Sequence, residues 1–350
     1  MYNIINNQLY LKKESPIEGA IRISLKAPDK FSEVPPTYCN NNNSVPCIYW
    51  GSNEIHYPSD GAGFAFFTTR VNINRHFPPA NCSFLKNYDK SCIVDPRQKP
   101  DNVLVQSMLD KSYIADIEKY TIMVEHSIRG KITTKTYRNG LLNGQLLSSD
   151  GETVIKSWTN ETRTLNDPRA DGDIMTVGEL LQAAGADLEG ISGAPGADPD
   201  ETFRSAGIVI VIIIDYKNNV LNPDEINYQY LPQVIGGSRY KTVESIYNVD
   251  DGSYIIKNRH GIRITFKQYG KIGEFDFISL LINLVAAITL FSVSTFLVEF
   301  LMLYLLPEKN QYQEAIFERT EIQNSPEKIS LLSVLPLLRL FSFIPFISSG

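Results

Sequence analysis

One carboxylate, Glu299, stands in an apolar run that extends from Phe277 to Leu306 with no other charged side chain. A charge at membrane depth costs about 2.5 to 3.5 kcal/mol on insertion scales, so it normally faces a bundle interior or a water-filled path. Glu299 is therefore a candidate for lining a cation path or pairing with a partner; a carboxylate near the interface, hydrated there, is the alternative. A second set of charges lies near the start of the chain. In "EGAIRISLK", residues 18–26, polar and apolar positions alternate as in a half-buried strand, which puts Arg22, Ser24 and Lys26 on one face. With a formal net charge of −6 over 350 residues, an anionic ligand has to be held by a local basic cluster of this kind.

The four cysteines, Cys39, Cys47, Cys82 and Cys92, lie in the first third of the chain. An even count fits two disulfides, with three pairings open. None of the four histidines is spaced as a metal co-ligand and no CxxC pair exists, so no metal site is expected. Sequons at Asn42, Asn81 and Asn160 are glycosylation candidates and agree with a lumenal or extracellular domain. No GxSxG or HExxH occurs, and no enzymatic constellation is evident. Nothing in the charge balance or motifs points to a nucleic-acid partner.

The elements that must position these groups follow from pattern. At about 1.5 Å per residue the Phe277–Leu306 run crosses a bilayer core of about 30 Å, and it lacks the polar stripe of a surface helix; a buried helix in a soluble protein is the alternative. "GFAFFTTRVNI" and "KYTIMVEHSI" read as strands. "TVGELLQAAG" reads as a short helix with a Thr176/Glu179 capping box and a stop at Gly185. The acidic, glycine-rich stretch after it is a loop, without the GK[ST] of a phosphate cradle. "AGIVIVIIIDY" has the continuous apolar pattern of a strand covered on both faces. Strands are expected at 239–247 and 253–266, joined by a turn at Asp251-Gly252.

The expected organisation is a ligand-binding β-rich domain over 1–274, a transmembrane helix over 275–306 and a cytoplasmic tail over 307–350. The tail ends in an apolar segment, interrupted by Pro336, Arg339 and Pro345, that is expected to lie at the interface or re-enter. The first residues contain no apolar core for a signal peptide or a first spanning helix.

The block "HGIRITFKQYGKIGEFDFISLLINLVAAITLFSVSTFLVEFLML" resembles the end of the ectodomain and the second transmembrane helix of the ATP-gated P2X purinergic receptors. That family's Tyr-Gly-Ile-Arg-Phe, Gly-Lys-Phe, Ile-Asn-Leu and Phe-Leu-Cys-Asp segments have their counterparts at His260 to Ile264, Gly273 to Phe275, Ile282 to Leu284 and Phe296 to Glu299. "KYTIMVEHSIR", "TVGELLQAAGAD" and "AGIVIVIIIDY" resemble further family blocks in the same order. The resemblance implies a homotrimer of membrane subunits whose disulfide-bonded, mainly β, sandwich-like ectodomains with short helices bind ATP between them. It implies a pore for monovalent cations and calcium, with ATP as agonist and no cofactor.

Carried over residue by residue, the resemblance implies adenine contact at Thr121 and phosphate contact at Lys26 and Arg239. Ser24 replaces one family lysine, for which Arg22 could compensate, and Asn258 replaces another, for which a shifted cation at Lys257 or Arg259 could serve as phosphate ligand. In the pore it implies Thr289 at the narrow point, Ser292 where the family has a flexing glycine, and Glu299 at the family's aspartate. The first transmembrane helix of the family has no counterpart, because "LYLKKESP" already resembles the segment after it. An upstream helix would make the chain multi-pass. Ile316 replaces the lysine of a Tyr-x-x-x-Lys surface-expression signal, so an internal vacuolar membrane stands beside the plasma membrane as a location. The alternative function is a non-conducting, single-pass membrane protein that uses the ectodomain for binding or assembly.

Overall fold

The structure, a computed structural model, describes residues 7–14, 19–39, 45–55, 57, 63–78, 82, 105–130, 136–159, 161–163, 172–219, 222 and 225–316, the last three by backbone alone. It divides into two compact units, Met1–Asn283 and Leu284–Gly350.

Among the described residues the first unit has fourteen strands. They are β1 (Leu11–Glu14), β2 (Ile21–Lys26), β3 (Cys47–Ile48), β4 (Phe64–His76), β5 (Val105–Ile114), β6 (Thr121–Arg129), β7 (Thr136–Arg138), β8 (Asn143–Leu147), β9 (Val154–Trp158), β10 (Asp173–Thr176), β11 (Ile208–Asn218), β12 (Ile226–Val234), β13 (Lys241–Tyr247) and β14 (Tyr254–Phe275). The larger sheet runs β3-β5-β4-β14-β11-β12-β8-β9, with β1 and β13 also on β14; the smaller runs β10-β6-β2, with β7 on β6. Side chains alternate along each strand, so β6 buries Ile122, Val124 and Ile128 while β11 buries Ile208, Ile210, Ile212 and Ile214. Both sets belong to one core, which makes the domain sandwich-like, as expected.

β11 departs from expectation in one respect. Only one face is sealed; Val209, Val211 and Ile213 are half-exposed, because alternation sends them to the side of the large sheet away from β6. The strand expected at 253–266 continues to Phe275. Pairing to β11 through Lys271 and to β1 through Phe275 sustains it beyond the hairpin. Within it Gly261 sits at a register shift against β4, where an added Cβ would lie 2.0 Å from the Phe67 carbonyl oxygen. The hairpin turn lies where Asp251-Gly252 placed it, with Gly252 at φ +68°.

The helices are short except one: α1 (Ser52–Ile55), α2 (Val177–Ala184), α3 (Phe203–Ala206), α4 (Phe277–Phe300) and α5 (Lys309–Ile316). α2 has the expected capping box between Thr176 and Glu179, and Gly185 ends it in the left-handed region. Asp276 accepts the Ser279 N–H at 2.9 Å, the bond of an N-terminal cap on α4. α4 runs into a π-helical turn at Leu301–Leu305; within Phe277–Leu305 an 18-residue window has a mean hydropathy of 2.2, and none of it is buried. Its length of about 40 Å exceeds a bilayer core of about 30 Å.

Candidate functional site

Antiparallel pairing of β2 with β6 sets Lys26 opposite Thr121 and Arg22 opposite Glu125. Lys26 is exposed, and its ammonium rests on Asp29 at 2.9 Å, a solvent-facing pair that a stronger ligand exchanges readily. Arg22 is also exposed, and its guanidinium is 3.2 Å from Glu125. Arg22, Glu125 and Arg138 line a cleft of about 320 Å3 above His126 and Asn139.

Thr121 opens β6, and the turn before it and the strand beside it are both fixed. Before it, Asp116 in the left-handed region accepts the Ser32 hydroxyl at 2.8 Å, and the turn Ile117–Lys119 follows. Beside it, Thr176 of β10 is its register partner and also the cap of α2. Arg204 binds Glu118 of that turn and Glu189, and stacks 3.5 Å over the Tyr38 ring. Burial, with Glu118 next in weight, pushes the Tyr38 hydroxyl well above the usual phenol range. Tyr38 adjoins the disulfide Cys39–Cys47. Cys82 is also disulfide-bonded, while Cys92 and the sequons at Asn42, Asn81 and Asn160 lie outside the described residues.

The other expected cations belong to the larger sheet and the turn before β13. Arg239 is exposed and donates Nη1 to the Gly196 carbonyl at 2.8 Å. Lys257 is 3.5 Å from Glu244, which Arg259 also binds. Arg259 is 2% exposed, donates to the Glu54 carbonyl at 2.7 Å and lies over the rings of Trp50 and Tyr57. Lys257 and Arg259, the neighbours of Asn258, thus share Glu244. Successive strand residues face opposite ways, so both neighbours point away from the side Asn258 serves, and both are engaged there.

In α4, Thr289, Ser292 and Glu299 fall within about 80° of one another at 100° per residue, on one face of the helix. Thr289 returns its hydroxyl to the Val285 carbonyl at 2.8 Å and Ser292 to Ile288 at 3.1 Å, which satisfies both in an apolar setting.

A buried polar cluster escaped the sequence reading. Asp173 accepts from Arg163 Nε at 2.9 Å, from Tyr228 at 2.5 Å and from Tyr230 at 2.6 Å. His126 bridges Tyr216 through Nδ1 at 2.6 Å and Tyr230 through Nε2 at 2.9 Å. Burial first, and then the Arg163 charge, lower the His126 pKa to about 3, so the imidazole is neutral. Burial likewise raises the Tyr228 and Tyr230 hydroxyls well above 10. The available signal was a histidine at a core position of β6 and three tyrosines at core positions of β11 and β12.

These features define a two-sheet domain with cations presented on both sheets, continued in sequence by a helix of membrane length. The family model for ATP P2X receptors matches residues 81–319. P2X receptor E of Dictyostelium discoideum is 30% identical over 341 residues, covering 94% of this chain and 82% of that protein. P2X receptor A of the same organism is 32% identical over 339 residues, covering 94% and 84%. A crystal structure of a P2X receptor from the Gulf Coast tick, with ATP and zinc, matches with a TM-score of 0.50 at 15% identity, covering 86% of this chain and 95% of that one. That likeness concerns the fold. The chain belongs to the P2X receptor family.

Proposed function

We propose that the chain is a subunit of a homotrimeric, ATP-gated cation channel, with ATP held between neighbouring ectodomains. The observation that carries this reading is the placement of Lys26 directly across from Thr121 at the open end of the small sheet. A triphosphate needs several cations, because charge-assisted bonds from Arg and Lys are the strong ones. Lys26 and Arg22 lie on β2 of the small sheet, and Arg239 lies on the turn before β13 of the large one. A site closed by two copies draws Lys26 and Thr121 from one and Arg239 from the other. Lys257, 3.5 Å from Glu244, is a further candidate cation on β14. The face of α4 that carries Thr289, Ser292 and Glu299 lines the path, the carboxylate attracting monovalent cations and calcium, and agonist draws the helices apart at Thr289. The membrane is an internal vacuolar one or the plasma membrane.

The test is ATP-evoked cation flux from the purified chain in liposomes. Lys26→Ala and Arg239→Ala are each expected to abolish it. Unchanged ATP sensitivity rejects the site, and a wild-type protein that binds ATP without flux returns the reading to a non-conducting binding module.

A further inference from the structure

The buried hydrogen bonds around His126 have a direction. Gln268, on β14, donates Nε2 to the Ser127 carbonyl of β6 at 2.9 Å and to the Tyr216 oxygen at 3.1 Å. Tyr230 gives its one proton to Asp173 and so accepts from His126 Nε2, which leaves Nδ1 of the neutral imidazole to accept the Tyr216 proton. A neutral imidazole that accepts at Nδ1 carries its proton on Nε2, and donates it to the Tyr230 oxygen. Tyr230 then donates to Asp173. Every bond points the same way, from β14 through β11, β6 and β12 to β10. The end is fixed by Arg163, which holds Asp173 through Nε and the Tyr228 oxygen through Nη2 at 2.5 Å.

The two ends of this chain lie at the elements a ligand-driven channel must connect. β10 starts at Asp173 and ends at Thr176, the register partner of Thr121, which faces Lys26. β14 carries Gln268 toward Phe275, and α4 begins at Phe277. Bonds in a low-dielectric interior reinforce one another, so the loss of one member weakens the rest. Contiguous hydrogen-bond networks of this kind are one carrier of coupling between separate sites.

We propose that Gln268, Tyr216 and His126 are positioning residues that transmit agonist occupancy at Lys26 and Thr121 to β14, without touching the ligand. This rests on the ATP-gated reading above. The experiment uses the full chain in lipid nanodiscs and liposomes, with binding of a fluorescent ATP analogue and maximal ATP-evoked flux measured on the same preparations. Tyr216→Phe removes one hydroxyl and keeps the ring; Gln268→Leu removes both amide bonds and serves if the first variant folds poorly. Both are expected to leave nucleotide affinity within about 2-fold while lowering maximal flux at least about 5-fold, in the range of typical coupling free energies. The double variant is expected to be no worse than the worse single one, as members of one chain are non-additive. His126→Gln, which can accept and donate, is expected to restore more flux than His126→Leu. Affinity and flux falling together, flux unchanged, or additive losses would each overturn the proposal. A wild-type chain that neither binds the analogue nor conducts overturns the channel reading and this inference with it, before any variant is compared.

Discussion

Acidification should weaken the ectodomain through His126 in particular. Folded, its imidazole stays neutral to about pH 3, because burial and then the Arg163 charge disfavour the proton. Unfolded, it titrates near the ordinary value of about 6.5. A folded pKa below the unfolded one means that the unfolded state takes up the extra proton between those values. Stability is therefore whole above about pH 6.5, and this contribution declines as the pH falls from there toward about 3. The slope approaches 1.4 kcal/mol per pH unit, so the step from about pH 7 to about pH 5 removes about 2 kcal/mol. His260, whose pKa is lowered to about 4 by burial and then by Arg70, acts in the same direction, so the wild-type slope alone is not diagnostic. The comparison is urea unfolding of detergent-solubilised wild type and His126→Gln at about pH 7, 6 and 5. Glutamine can bridge Tyr216 and Tyr230 without titrating. The variant is expected to start less stable and to lose about 2 kcal/mol less over the interval. Equal slopes would refute the reasoning, since they would mean that the folded imidazole takes up its proton as freely as the unfolded one.

Two further perturbations test the fold. Gly261→Ala puts a Cβ 2.0 Å from the Phe67 carbonyl oxygen, which is backbone, and should destabilise by about 3 kcal/mol or more; Gly236→Ala, with nothing within 4 Å, is the control in thermal unfolding. Thr176→Ala removes the hydroxyl that accepts the Glu179 N–H at 3.0 Å and should cost about 1 kcal/mol, most of it recovered by Thr176→Ser.

How much was legible follows from the range of each signal. The capping box of α2, the Asp251-Gly252 turn and the alternation of β2 depend on residues a few positions apart, and each stands where local chemistry placed it. The opposition of Lys26 and Thr121 joins residues far apart in sequence, and only the resemblance suggested their common purpose. The shift of a cation from Asn258 to a neighbour was a plausible substitution in composition. Composition does not say which way each cation points: neighbouring strand side chains face opposite ways, and Arg259 is enclosed by Trp50, Tyr57 and Glu244.

Periodicity and length in the chain alone were enough to specify a β-rich domain and one membrane-length helix bearing a single carboxylate, because hydrophobic pattern and helical rise are local quantities. Tertiary structure alone decided where the buried charges end. Asp173, Arg163 and His126 look unremarkable in their own segments; they meet three tyrosines from β11 and β12 only when the two sheets close. Desolvation there leaves each polar group dependent on a partner from another strand, so the chain of bonds and its direction exist only in the folded domain.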